Sequence, residues 1–194
     1  MSTKTARALI GLALAGAGLL TACSDDDPLA AQAGNSDGKN YIAGDGSVME
    51  VSEAERDEAV EFSGQTFDDK TISTDTLDGP TLVNFWYASC APCRAEAPDL
   101  VDLHQEFDDD VNFVGVNVRD AADTAAAFER NFEIDYPSIE GRDGQVLLEF
   151  SQYVPPQAVP TTLILDDQGR VAARILGSVE HSTLKSLLND VVDE

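Results

Sequence analysis

Residues 81–98 read TLVNFWYASCAPCRAEAP. The first seven, Thr81 to Tyr87, are rich in β-branched and aromatic residues and read as a buried strand. From Pro92 to Phe107 the apolar positions fall at helical spacing, through Leu100, Leu103 and Phe107. Two cysteines, Cys90 and Cys93, therefore stand where a strand turns into a helix. A cysteine at a helix N-terminus faces unpaired backbone N–H groups and the positive end of the helix dipole, and both favour thiolate over thiol. Thiols so placed titrate at about 3.5–7.5 instead of near 8.5. Two intervening residues on a helical turn bring the sulfurs within bonding range. Cys90, the first and more exposed, is the expected nucleophile on a partner's disulfide, and Cys93 resolves the mixed disulfide. Pro92 suits the first helical turn, where a missing N–H costs little.

Outward from this block the chain alternates. Val111–Val118 (VNFVGVNV) is a second buried strand, and Asp123–Phe132 a second helix. The stretch from Phe132 to Pro160 is less regular, with a helix expected near Asp143–Phe150. Thr161–Leu165 and Val171–Leu176 are strands joined by the turn Asp166-Asp167-Gln168-Gly169. Leu184, Leu187, Leu188 and Val191 mark a closing amphipathic helix, capped by Ser182 or Ser178. An early strand is expected at Gln65–Phe67. Parallel strands joined by helices, followed by a hairpin, describe an α/β sandwich.

The chain has 194 residues and a net charge of −24, from 36 acidic against 12 basic residues. A phosphate-binding surface needs clustered Lys and Arg, so nucleic acid is not an expected partner. Asp108-Asp109-Asp110 reads as a solvated loop. Arg119-Asp120 follows a strand end on the side of the cysteines and either shapes a partner groove or caps the next helix. A CxxC can also be half of a zinc site. The remaining non-carboxylate candidates are His104 and His181, neither at finger-like spacing, so no metal is expected. As a purely structural disulfide, so short a loop would constrain little of the unfolded chain.

The block from Leu82 to Trp86 through Cys90-Ala91-Pro92-Cys93-Arg94-Ala95-Glu96-Ala97-Pro98, followed later by Val159-Pro160-Thr161-Thr162-Leu163-Ile164-Leu165-Asp166, resembles the TlpA/ResA-like extracytoplasmic thioredoxins. The resemblance implies a thioredoxin-like three-layer sandwich over residues 61–194, with a mixed central β-sheet flanked by helices. It implies a cis Val159–Pro160 bond opposite the CxxC, with Val159 offering its backbone to a client. Trp86, Tyr87 and Pro92 are expected to complete the substrate-binding lip. Ordinary thioredoxins carry a buried Asp at position 84, which here is Asn84 and does not titrate. This branch places a glutamate three residues after the second cysteine, here Glu96, as the group that tunes the cysteines and relays a proton; otherwise Glu96 lies on a solvated helix face. The family usually has Trp before the first cysteine, and this chain has Ser89.

The N-terminus reads as an address. Lys4 and Arg7 precede the apolar run Ala8–Leu20, which is too short to span a bilayer comfortably. Leu20-Thr21-Ala22-Cys23 resembles a bacterial lipobox, implying a signal peptide at 1–22 and a diacylglyceryl and palmitate anchor on Cys23. The bland alternative is ordinary secretion. Turn-forming, acidic residues 23–60 read as a flexible tether with a reach on the order of 30–35 Å. A short helix at Ser52–Val60, with Ser52 as N-cap, is expected within it.

Together these readings describe a monomeric protein thiol–disulfide oxidoreductase. It is expected on the extracytoplasmic face of the cell membrane, with no cofactor beyond the Cys90–Cys93 disulfide. Expected partners are protein clients and a membrane electron-transfer protein, in a reducing role such as cytochrome c biogenesis. The alternatives are a disulfide-forming oxidase of secreted proteins and a copper-binding or copper-chaperone module on the same fold. A hydroperoxide-reducing role ranks last.

Overall fold

Strand β5 (Thr81–Trp86) is an interior strand of the main sheet and is buried at every residue. Its side chains alternate as a strand requires. Leu82 belongs to one apolar cluster and Val83 and Phe85 to another, on opposite faces. β6 (Asn112–Asn117) pairs with it in parallel on one side, and β8 (Thr161–Leu165) antiparallel on the other. Among the described residues the sheet has seven strands in the order β1-β2-β9-β8-β5-β6-β7, where β1 is Asn40–Ala43, β2 is Gly46–Glu50, β7 is Ser138–Glu140 and β9 is Val171–Leu176. The β8–β9 hairpin turns at Gly169, whose φ of +77° suits a residue without Cβ.

The computed structural model describes residues 40–43, 46–155 and 157–194. Helix α1 (Ala91–Glu106) packs Leu100 and Leu103 with Leu184, Leu187 and Leu188 of α4 (His181–Val192) over the Leu82 face. α2 (Ala122–Phe132) sets Ala125 and Phe128 against Trp86 and the two cysteines. The opposite face is covered by Val146 of α3 (Gln145–Glu149), by Phe150, and by Ile72 of a small hairpin, β3 (Ser63–Gln65) with β4 (Thr71–Ser73). This is the expected α/β architecture, with a mixed sheet flanked by helices.

Several sequence expectations are corrected. The domain does not begin at residue 61. β1 (Asn40–Ala43) and β2 (Gly46–Glu50) form an antiparallel pair that joins the sheet through β9. Val48 is buried, the Val51 N–H bonds to the Ala172 carbonyl, and Arg56 bonds to Asp166 (2.9 Å) and to Glu194 (2.5 and 2.6 Å). The turn residues Gly44-Asp45-Gly46 read as linker because the apolar positions beside them are too few to announce a strand. The helix expected at Ser52–Val60 is only a 3-10 turn at Glu53–Glu55, where Ser52 Oγ bonds to the Glu55 carboxylate instead of capping backbone. The early strand stands at 63–65, outside the main sheet. Neither Ser178 nor Ser182 caps α4; Glu180 occupies that position without a side-chain cap bond. The expected signal peptide at 1–22, the expected lipidation site Cys23 and the first part of the expected tether lie outside the described residues.

Candidate active site

Cys90 is the N-cap residue of α1 and is joined to Cys93 in the first helical turn by a disulfide. The Cys93 N–H points at Cys90 Sγ over 3.1 Å. One of the helix's otherwise unpaired donors is thus aimed at the sulfur that carries negative charge once the bond is reduced. Pro92 is exposed beside the pair, within the first turn. Cys90 is not the more open cysteine expected from its position: the two are 3% and 2% exposed. Trp86, Ala97, Ala125 and Phe128 close around them, with Tyr87, Phe132 and Val159 at the margin.

The Val159–Pro160 bond is cis. It sets the Val159 carbonyl oxygen 3.9 Å from Cys90 Sγ, with Pro160 buried and Val159 partly open. Trp86 does not form an open lip. It is 3% exposed and stacks on Phe128 with ring centroids 4.5 Å apart, because its strand position points it beneath α2. Tyr87 is the half-open aromatic, and the Arg119 guanidinium lies 4.0 Å above its ring.

Glu96 is not on a solvated helix face. It is 3% exposed, on the side of α1 that also buries Cys93 and Leu100. Asn84 Nδ2 donates to Glu96 Oε1 (3.1 Å) and to Thr162 Oγ1 (3.0 Å). Oε2 is buried with no hydrogen bond of ordinary geometry. Burial pushes the carboxyl up to about 8 and the nearby Asp99 charge adds to the rise, while the Asn84 amide and the Val179 backbone ease it. A carboxyl at that value is mostly protonated at neutral pH yet can still exchange its proton.

Sequence reasoning noted Asn84 only as a residue unable to titrate and did not foresee it as the donor to Glu96. Strand alternation held the signal, since Asn84 shares the face of Leu82 under α1 and stands opposite Thr162 across the β5–β8 pair. Asp120, expected either to shape a partner groove or to cap the next helix, braces the active-site loop. Its Oδ2 accepts from the Ala88 N–H (2.6 Å) and from Asn117 Nδ2 (2.9 Å), holding the loop two residues before Cys90. α2 begins after Ala121 without a side-chain cap. Among the described residues, no group of three or more His, Cys, Asp or Glu side chains is arranged to hold a metal ion.

A buried strand, a CxxC on a helix N-terminus and a cis-proline wall beside it form one redox site. The model of the AhpC/TSA family matches residues 56–174, more than half of the chain. The chain belongs to the AhpC/TSA family. It is 32% identical over 120 residues to the thiol:disulfide interchange protein HelX of Rhodobacter capsulatus, an alignment covering 61% of this chain and 64% of HelX. It is 27% identical over 150 residues to the thiol-disulfide oxidoreductase ResA of Bacillus subtilis, covering 76% of this chain and 79% of that one. The crystal structure of a DsbF homologue from Corynebacterium diphtheriae superposes with a TM-score of 0.65 at 33% identity, covering 74% of this chain and 92% of that chain. These likenesses make the chain a thiol–disulfide oxidoreductase of the ResA and HelX type on an α/β, thioredoxin-like fold, with its CxxC at Cys90 and Cys93.

Proposed function

We propose that the protein is a membrane-anchored, extracytoplasmic reductase of protein disulfides, held by lipid on Cys23 and serving client thiols such as those prepared for cytochrome c. Reduced Cys90 attacks one sulfur of a client disulfide, forming the Cys90–client bond and releasing the other client sulfur as thiolate. Cys93 then attacks Cys90 Sγ, restoring the Cys90–Cys93 disulfide and releasing the second client thiol. The client gains two electrons and two protons, and a membrane electron-transfer partner returns the two electrons to the enzyme. Val159, at the cis bond beside Cys90, pairs its backbone with the extended client chain.

Glu96 relays the proton of Cys93, and its burial beside Asn84 is the observation that carries this reading. In the oxidised state Glu96 is a neutral acid near pH 7, ready to protonate Cys93 as the disulfide opens. As a carboxylate it takes the proton back when Cys93 attacks. The name HelX, a thiol:disulfide interchange protein, and the name ResA support the exchange chemistry. The lipid anchor rests on the lipobox-like Leu20-Thr21-Ala22-Cys23 that follows the apolar run Ala8–Leu20.

The Cys90–Cys93 reduction potential, measured against glutathione and dithiothreitol, tests the direction of electron flow. A value near −270 mV or lower supports the reductase, and one near −120 mV makes the protein an oxidase.

A further inference from the structure

The chain is strongly acidic, yet the rim of its redox site carries two cations that make no ion pair among the described residues. Five of the described basic side chains, Arg56, Lys70, Arg142, Arg170 and Lys185, are ion-paired to carboxylates. Arg94, Arg119, Arg130 and Arg174 have no ion pair among the described residues; of these, Arg94 and Arg119, both exposed, border the redox site. Each lies on an aromatic ring instead. Arg94 is 5.1 Å from the Phe132 centroid and Arg119 is 4.0 Å from that of Tyr87. Both rings pack against the buried cluster that contains Cys90 and Cys93.

The two arginines also bracket the loop before the nucleophile. Arg94 Nη1 donates to the Ala88 carbonyl (3.4 Å), and Arg119 covers the preceding Tyr87. The adjacent carboxylate, Asp120, is already engaged by the Ala88 N–H and the Asn117 amide. A guanidinium stacked on a ring keeps its positive charge at the surface, where it attracts an approaching carboxylate.

We infer that Arg94 and Arg119 select clients carrying Asp or Glu beside the disulfide to be reduced. This rests on the exchange reading above and names its substrate class. The overall charge of −24 repels acidic chains at a distance, so the two arginines make the active-site rim the place where an acidic segment is accepted.

The test uses the full-length protein, reduced and freed of reductant, with three synthetic peptides of equal length. Each contains one internal disulfide, flanked by Asp, by Lys or by neutral residues. Rates are read by acid quench and mass spectrometry at about 0.1 M salt, where screening acts over about 10 Å. The quantity compared is the Asp-to-Lys rate ratio of each enzyme, so long-range repulsion by the rest of the chain cancels.

Two exposed charge contacts are each worth about threefold, so the ratio should fall about tenfold in R94Q/R119Q. R94K/R119K should keep most of it. A ratio that changes less than twofold in R94Q/R119Q overturns the proposal. So does an R94K/R119K variant that loses the ratio as fully as the Gln pair, because charge would then not be the cause. If the wild-type protein reduces none of the three peptides, the exchange reading itself fails.

Discussion

Glu96→Gln should make the oxidised protein more resistant to alkaline conditions. The carboxyl stands at about 8 in the fold, against an ordinary value of 4.5. Between these values the folded state binds a proton that the unfolded state has released, so wild-type stability falls as pH rises. Each unit in that window costs about 1.4 kcal/mol. From pH 5 to pH 8 the integrated loss is about 3.5 kcal/mol, and it levels off above the folded value. Gln keeps the size and an amide oxygen for Asn84 but does not ionise, so E96Q escapes this loss. The assay is urea unfolding of both oxidised proteins across pH 5–9, followed by far-ultraviolet circular dichroism. The stability difference, E96Q minus wild type, should grow with pH by about 3.5 kcal/mol over that window. All other titrating groups are shared and cancel. A difference independent of pH would refute the claim that Glu96 is buried as a neutral acid.

Asn84→Ala removes the side-chain amide that eases Glu96, so the pH midpoint of Cys93 reactivity, followed by alkylation, should move upward, whereas an unmoved midpoint would dissociate Asn84 from the relay. Asp120→Ala frees the Ala88 N–H and should cost about 1–3 kcal/mol in urea unfolding while also shifting the Cys90–Cys93 potential; a stability loss without a shift would make Asp120 structural only. Gly115→Ala drives a Cβ into Ser138 Oγ and sets it 2.9 Å from Trp86 Nε1, and should destabilise by about 1–3 kcal/mol, read as a lowered Tm.

The parts of the molecule that were legible in sequence are those where one physical signal dominates. β5, α1, β6, α2 and the β8–β9 hairpin are long, strongly patterned or bounded by a turn glycine, and they lie within a residue or so of where the pattern puts them. The strands that escaped, β1, β2, β4 and β7, have three to five residues, and β2 and β7 draw their stability from sheet neighbours far away in the chain. β7 is held by Val116 and Asn117 of β6, a pairing that no local window contains. The cysteines and the cis proline were readable because motif and position agree. The burial of Cys90 and Trp86 was not, because it depends on Phe128 arriving from α2. Asp120 escaped for a similar reason, since its partner is a backbone N–H 32 residues away.

Exchange through Cys90 is tested most directly by trapping. Cys93→Ala removes the resolving thiol, so a disulfide-containing peptide added to the reduced protein should remain bound to Cys90. Intact-mass spectrometry should then show one added peptide, released by dithiothreitol, and fragmentation should place it on Cys90. No adduct on C93A, or an adduct that forms on Cys93 of the wild-type protein while Cys90 stays free, would contradict the account.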